Sequence, residues 1–111
     1  MSGYDYKSLV DEIKTLPCGD EFHVRVIEYR GERSDYEAEI VMERQVGDAL
    51  YEAVVYIARD MSVTGTYYRN GYDCDTVRGV LPYPLANIRR CFPSPLAAAD
   101  ILIGDVMRMS E

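Results

Sequence analysis

Between Glu21 and Glu43 the polarity of the chain alternates residue by residue, and this alternation constrains the fold more than any other feature. Phe22, Val24 and Val26 alternate with Glu21, His23 and Arg25. After the turn-rich stretch Arg30-Gly31-Glu32-Arg33-Ser34, Tyr36, Ala38, Ile40 and Met42 alternate with Asp35, Glu37, Glu39 and Glu43. A period of two is the mark of a strand with one buried face and one wet face, so the segment reads as a β-hairpin. A symmetric loop sets Val24 opposite Ile40 and Phe22 opposite Met42 on the core face, with Arg25 opposite Glu39 on the other.

A lone hairpin is not stable in water, so the flanking segments must supply the rest of a core. Tyr6, Leu9, Val10, Ile13 and Leu16 recur at helical spacing, and Pro17-Cys18-Gly19 follows, which predicts an amphipathic helix over residues 4–16. Leu50, Ala53, Val54, Ile57, Ala58 and Met61 fit a helical stripe with Gly47-Asp48 as its cap. Val54-Val55-Tyr56-Ile57 is also good strand material, but helix is the favoured reading. Thr64 to Arg69 and Tyr72 to Val77 flank Asn70-Gly71, a strong signal for a second hairpin. Pro82, Pro84, Pro93 and Pro95 then leave room only for a helical turn around Leu85 to Arg90. Ser94-Pro95 opens a last helix through Leu96, Ala99, Ile103 and Val106. The expected architecture is one α+β domain over residues 1–111, with a small antiparallel sheet of two hairpins covered by helices, in the order α-β-β-α-β-β-α.

Charge narrows the partners. The chain carries 19 acidic and 12 basic residues for a net charge of −7, and the whole excess lies in the first 60 residues. Such a chain is repelled by phosphate backbones and anionic headgroups, which argues against direct nucleic-acid binding and against a membrane surface; a protein with a basic surface fits better. The N-terminal residues Met1 to Lys7 lack the basic start and apolar run of a secretion signal, so a cytoplasmic location is expected. Cys18, Cys74 and Cys91 are odd in number and unrelated in spacing, so reduced thiols are expected rather than a disulfide framework. No glycine-rich phosphate loop or close cysteine pair is present, so neither cofactor nor metal is expected.

Chemistry at single residues is sparse. Cys18 and His23 invite a nucleophile–base pair, or a zinc site completed by Cys74 and Cys91, but the spacing brings none of them together locally. Asp100 shares a helical stripe with Leu96, Ile103 and Met107, so partial burial beside Arg89 or Arg90 is expected; that arginine doublet is also a candidate anion clamp. The alternating carboxylates Asp35, Glu37, Glu39 and Glu43 are the most suggestive feature, since such a row repeats every ~6.6 Å and resembles a line of phosphates. Ten tyrosines against two phenylalanines, with Tyr29, Tyr68 and Tyr72 near hairpin tips, suit a protein interface.

The preferred expectation is a non-enzymatic interaction protein that binds, and by binding inhibits or neutralises, a basic partner, of the immunity, anti-defence or nucleic-acid-mimic kind. Its binding residues would be Asp35, Glu37, Glu39, Glu43, Tyr29, Tyr68 and Tyr72. The competing expectation is a small-molecule sensor or small enzyme using Cys18, His23, Cys74, Asp100 and Arg89-Arg90. Between Leu96 and Ile103 only Asp100 is charged, which leaves Ile101, Leu102 and Met109 as a surplus apolar face for a homodimer through the C-terminal helix.

Overall fold

The computed structural model describes residues 5–30, 35–69 and 89–110. Helix α1 spans Tyr6–Lys14, shorter at both ends than the periodicity alone suggests. The Asp5 carboxylate caps it, accepting from the Ser8 backbone N–H and hydroxyl, and these bonds hold its pKa below the usual carboxylate value. The helix ends before Pro17 as expected. Cys18 turns the chain with φ of 63°, and Gly19 tucks back beneath the helix, where a Cβ would lie 2.1 Å from the Ile13 carbonyl oxygen.

Five strands follow, β1 (His23–Glu28), β2 (Tyr36–Val46), β3 (Ala49–Ala58), β4 (Val63–Arg69) and β5 (Arg90–Phe92), and helix α2 (Pro95–Met109) closes the fold. Each strand pairs antiparallel with the next, so the sheet order is β1-β2-β3-β4-β5. The final helix starts where Ser94-Pro95 predicts, with the Ser94 hydroxyl accepting from the Ala97 N–H at 3.2 Å.

The α+β class holds, but residues 49–58 are a strand rather than the expected helix. Gly47-Asp48 is a two-residue turn between Val46 and Ala49, with Gly47 at φ +59°, not a helix cap. β3 lies in the middle of the sheet and is buried from Tyr51 to Ile57, so the alternation that identifies a half-exposed strand is missing. Arg90, expected in a helical turn, is instead in β5 opposite Gly65. Thr64 to Arg69 lie within β4 as expected, except that its described partners are β3 and β5. Asn70-Gly71, Tyr72 to Val77, Cys74, Pro82 and Pro84 lie outside the described residues.

The first hairpin forms with the expected faces and a different register. Val24 stands opposite Met42 and Val26 opposite Ile40, two residues from the symmetric pairing, and Arg25 stands opposite Val41 rather than Glu39. A shift of two preserves every side chain's face. Phe22, Ala38, Ile40 and Met42 are buried in the core, and Val24 and Val26 pack at its edge. Tyr36 departs from the pattern: a bulge between Tyr36 and Ala38 in the β2–β3 ladder turns its ring to the other face, against Val41, Val54 and Tyr56.

Both helices lie on the inner face of the sheet, α1 against β1 and α2 against β3, β4 and α1. Ile13, Phe22, Ile40, Met42, Val55, Ile57, Leu102, Ile103 and Val106 are sealed between the layers. Gly65 permits the closest approach, because a Cβ there would meet Leu102 Cδ1 at 2.6 Å and the Phe92 ring at 2.9 Å. At the rim, Arg44 pairs with Glu21 at 3.0 Å and donates to the Ser110 hydroxyl at 2.6 Å. The acid that α2 partly buries is Asp105, held by Arg90 and Arg108, whereas Asp100 is exposed. At about 100° per residue Asp100 lies about 160° round the helix from Leu102, and Asp105 only about 60°. The same geometry puts Leu102 fully in the core, so of the expected dimer face only Ile101 is a large exposed hydrophobic, at 43%.

Candidate functional site

The outer face of the sheet, opposite the helices, can be read directly from the strand register. One cross-strand row is His23, Glu43, Glu52 and Tyr68; the next is Arg25, Val41, Val54 and Thr66; the third is Ile27, Glu39, Tyr56 and Thr64. Each row belongs to one face because directly opposed residues in antiparallel strands point the same way. Val41, Val54 and Tyr56 form a second apolar cluster here, with Ile27, Tyr36 and Tyr68 packed against it. Among the described residues no helix covers it.

A cavity of about 230 Å³ opens in this face, walled by Ile27, Val41, Val54 and Tyr56 with Arg25, Glu39, Glu52 and Tyr68 as its polar groups. Its electrostatics are unusual for a sheet surface. Glu43 and Glu52 are direct cross-strand partners, a like-charge pairing that disfavours the fold. Glu52 is only 8% exposed. Burial, and after it the neighbouring Glu43 charge, push its pKa up to about 7, with Glu39 adding to the effect and Arg25 opposing it. Arg25 lies 3.8 Å from Glu43, the guanidinium itself half exposed.

Tyrosines frame these carboxylates. Tyr29 donates to Glu39 Oε2 at 2.5 Å, and that bond raises the phenol pKa. Tyr56 and Tyr68 share a hydrogen bond at 3.2 Å; burial, then this bond, raises the Tyr56 pKa far above the phenol range. The Arg89 guanidinium lies 4.7 Å from the Tyr56 ring centroid and donates to the Tyr36 hydroxyl at 3.3 Å, a bond that raises its pKa. Thr66 is fully buried, and its Oγ1 has no hydrogen-bond partner among the described residues.

The expected binding residues are therefore divided. Glu39, Glu43, Tyr29 and Tyr68 come together on the outer face. Glu37 does not join them, because its carboxylate accepts from the Tyr6 hydroxyl of α1 on the helical side, and Asp35 sits at the exposed start of β2. The four acids thus form no evenly spaced row, and Glu37 and Glu43 are half-buried rather than freely solvated. Tyr72 lies outside the described residues.

Of the residues proposed for a sensor or enzyme, Cys74 lies outside the described residues and the others scatter. Cys18 is half-buried in the turn after α1, His23 is exposed on β1 at one side of the sheet, and Arg89, Arg90 and Cys91 lie at the other. Arg90 turns to Asp105 on the helical side, and Asp100 points away. Among the described residues, no three of His, Cys, Asp or Glu converge in a way that would hold a metal ion, and no helix is long and apolar enough to cross a membrane.

Glu52, Val54, Tyr56 and Thr66 are the residues that sequence reasoning passed over. Glu52, Val54 and Tyr56 are spaced two apart, and reading Gly47-Asp48 as a hairpin turn would have placed them on one strand face beside Glu39 and Glu43. No protein family, no curated protein and no solved structure matches this chain.

Proposed function

We propose that the protein is a non-enzymatic interaction protein that docks on a basic partner through the outer face of its sheet. The observation that carries this reading is Glu52, a carboxylate buried directly opposite Glu43 and near Glu39, with Arg25 as the cation opposing them. A stable fold gains nothing from that arrangement, since buried like charges oppose folding unless a cation neutralises them. An incoming basic surface supplies that neutralisation, and the surrounding tyrosines offer rigid amphipathic contact area. Docking on such a face blocks whatever the partner's basic surface otherwise binds, which makes inhibition or neutralisation the natural consequence. The reading rests on clustered carboxylates rather than on a phosphate-like row.

Affinity capture from the native host tests it, with the wild-type chain beside Glu39→Lys/Glu43→Lys and, as a control on the far side of α2, Asp100→Lys. The wild type and the control should retain the same basic protein, more weakly as salt rises, and the double reversal should lose it. Capture that survives the double reversal would overturn the docking face.

A further inference from the structure

We propose that the outer-face cavity is the receptor for a single arginine side chain of that partner; this rests on the reading of the outer face as the docking surface. Three features of the cavity select this occupant. The first is charge: Glu39 and Glu52 line the cavity and Glu43 stands directly opposite Glu52, with Arg25 the cation among the described lining residues, so carboxylates outnumber cations in that lining. The second is shape. About 230 Å³ is below the range of about 300–1,000 Å³ usual for drug-sized ligands, and its Ile27, Val41 and Val54 walls suit the methylene stem of a long basic side chain.

The third is hydrogen bonding. Thr66 stands directly opposite Val54 of the cavity wall, buried, and its Oγ1 has no hydrogen-bond partner among the described residues. The acceptors that line the cavity itself are the Glu39 and Glu52 carboxylates and the Tyr68 hydroxyl. A guanidinium carries five donors in a flat fork, enough to reach two carboxylates and a hydroxyl together, and it stacks on a phenol ring. Tyr56 already receives the Arg89 guanidinium in that manner. The acids do not converge as metal ligands do, so an organic cation is the better match.

Occupancy should be coupled to a proton. Glu52 faces His23 and Arg25 from β1, Glu43 and Glu39 from β2, Tyr56 along β3 and Tyr68 from β4. Among these carboxylates one proton is retained near neutrality, and an arriving guanidinium favours its release. Binding then tightens as pH rises through about 7.

The test is an NMR titration of isotope-labelled protein with N-acetyl-arginine methylamide, using the citrulline analogue as a neutral isostere, at pH 6 and pH 8. The arginine probe should shift the amides of Val41, Val54 and Thr66, bind several-fold more tightly at the higher pH, and leave the citrulline analogue without effect. Glu52→Gln should weaken binding about tenfold and abolish the pH gain, while His23→Gln should keep that gain. No shift at these amides with tens of millimolar arginine probe, or equal shifts from citrulline, would overturn the proposal. Probe failure with the capture experiment intact removes the arginine receptor and leaves the docking face. Probe binding without any captured protein removes the protein partner, and this proposal with it.

Discussion

The two faces of the sheet are built from neighbouring residues and obey different physics. On β2, Ile40 and Met42 point inward and are sealed against the helices, while Glu39, Val41 and Glu43 alternate with them on the outer side. On β3 the inner Ala53, Val55 and Ile57 alternate with Glu52, Val54 and Tyr56. The inner face consists of apolar groups closed by α1 and α2, with its charges confined to the rim as satisfied pairs such as Arg44 with Glu21. The outer face buries the Glu52 carboxylate against a half-buried Glu43. One face stabilises the fold, and the other draws on that stability to hold a carboxylate where burial and a like-charged neighbour disfavour it, which is the arrangement the proposed docking would exploit.

The largest effect separating the faces is expected from Ile40→Ala. Its side chain is fully buried between sheet and helices, and removing it should cost about 3 kcal/mol through lost apolar burial and the cavity left behind. Urea unfolding should show the midpoint fall with little change in slope. A loss below about 1 kcal/mol would mean that the inner face is not the stabilising one, and the contrast would collapse.

Glu52→Gln should act in the opposite direction. The folded carboxyl titrates near 7 against an ordinary value of 4.5. Between those values the folded state therefore holds more protons than the unfolded state, and stability falls as pH rises. The penalty is absent below the ordinary value and complete above about 7. The shift corresponds to about 3 kcal/mol, so the amide should stabilise the protein by about 2–3 kcal/mol at pH 8 and by little at pH 4. Thermal unfolding across that range checks it. Parallel stability profiles for variant and wild type would show that Glu52 is not destabilised in the fold.

How much of this contrast the sequence displays depends on the element. The first hairpin's faces are legible because Phe22 to Met42 alternate across a half-buried surface, and α2 is legible because Ser94-Pro95 is a cap followed by a residue that fits the first turn. Register is not, since only the turn fixes it and a shift of two costs the hydrophobic pattern nothing. Residues 49–58 hide because burial on both faces erases period two, leaving an apolar run that a helical stripe fits equally well. That single ambiguity conceals the candidate site, since half of its wall comes from β3. The Tyr36–Ala38 bulge, which separates Glu37 from Glu39, has no sequence signal at all.

The smallest expected effect concerns a third surface, the back of the helical layer. The sequence suggests a broad apolar face on α2, but Leu102 is sealed in the core and Met109 is half-buried, which leaves Ile101 as the exposed remnant. A lone exposed hydrophobic is ordinary and holds no interface by itself. Ile101→Ser should therefore change unfolding free energy by less than about 0.5 kcal/mol, and sedimentation equilibrium should return the same mass for variant and wild type. A mass that halves on this substitution would place a self-association surface on α2, and recognition would no longer be confined to the outer face. An unchanged mass sharpens the contrast: of the two apolar surpluses among the described residues, the one on α2 is incidental to self-association, and the one flanked by Glu39, Glu43 and Glu52 is where the proposed basic partner would have something to neutralise.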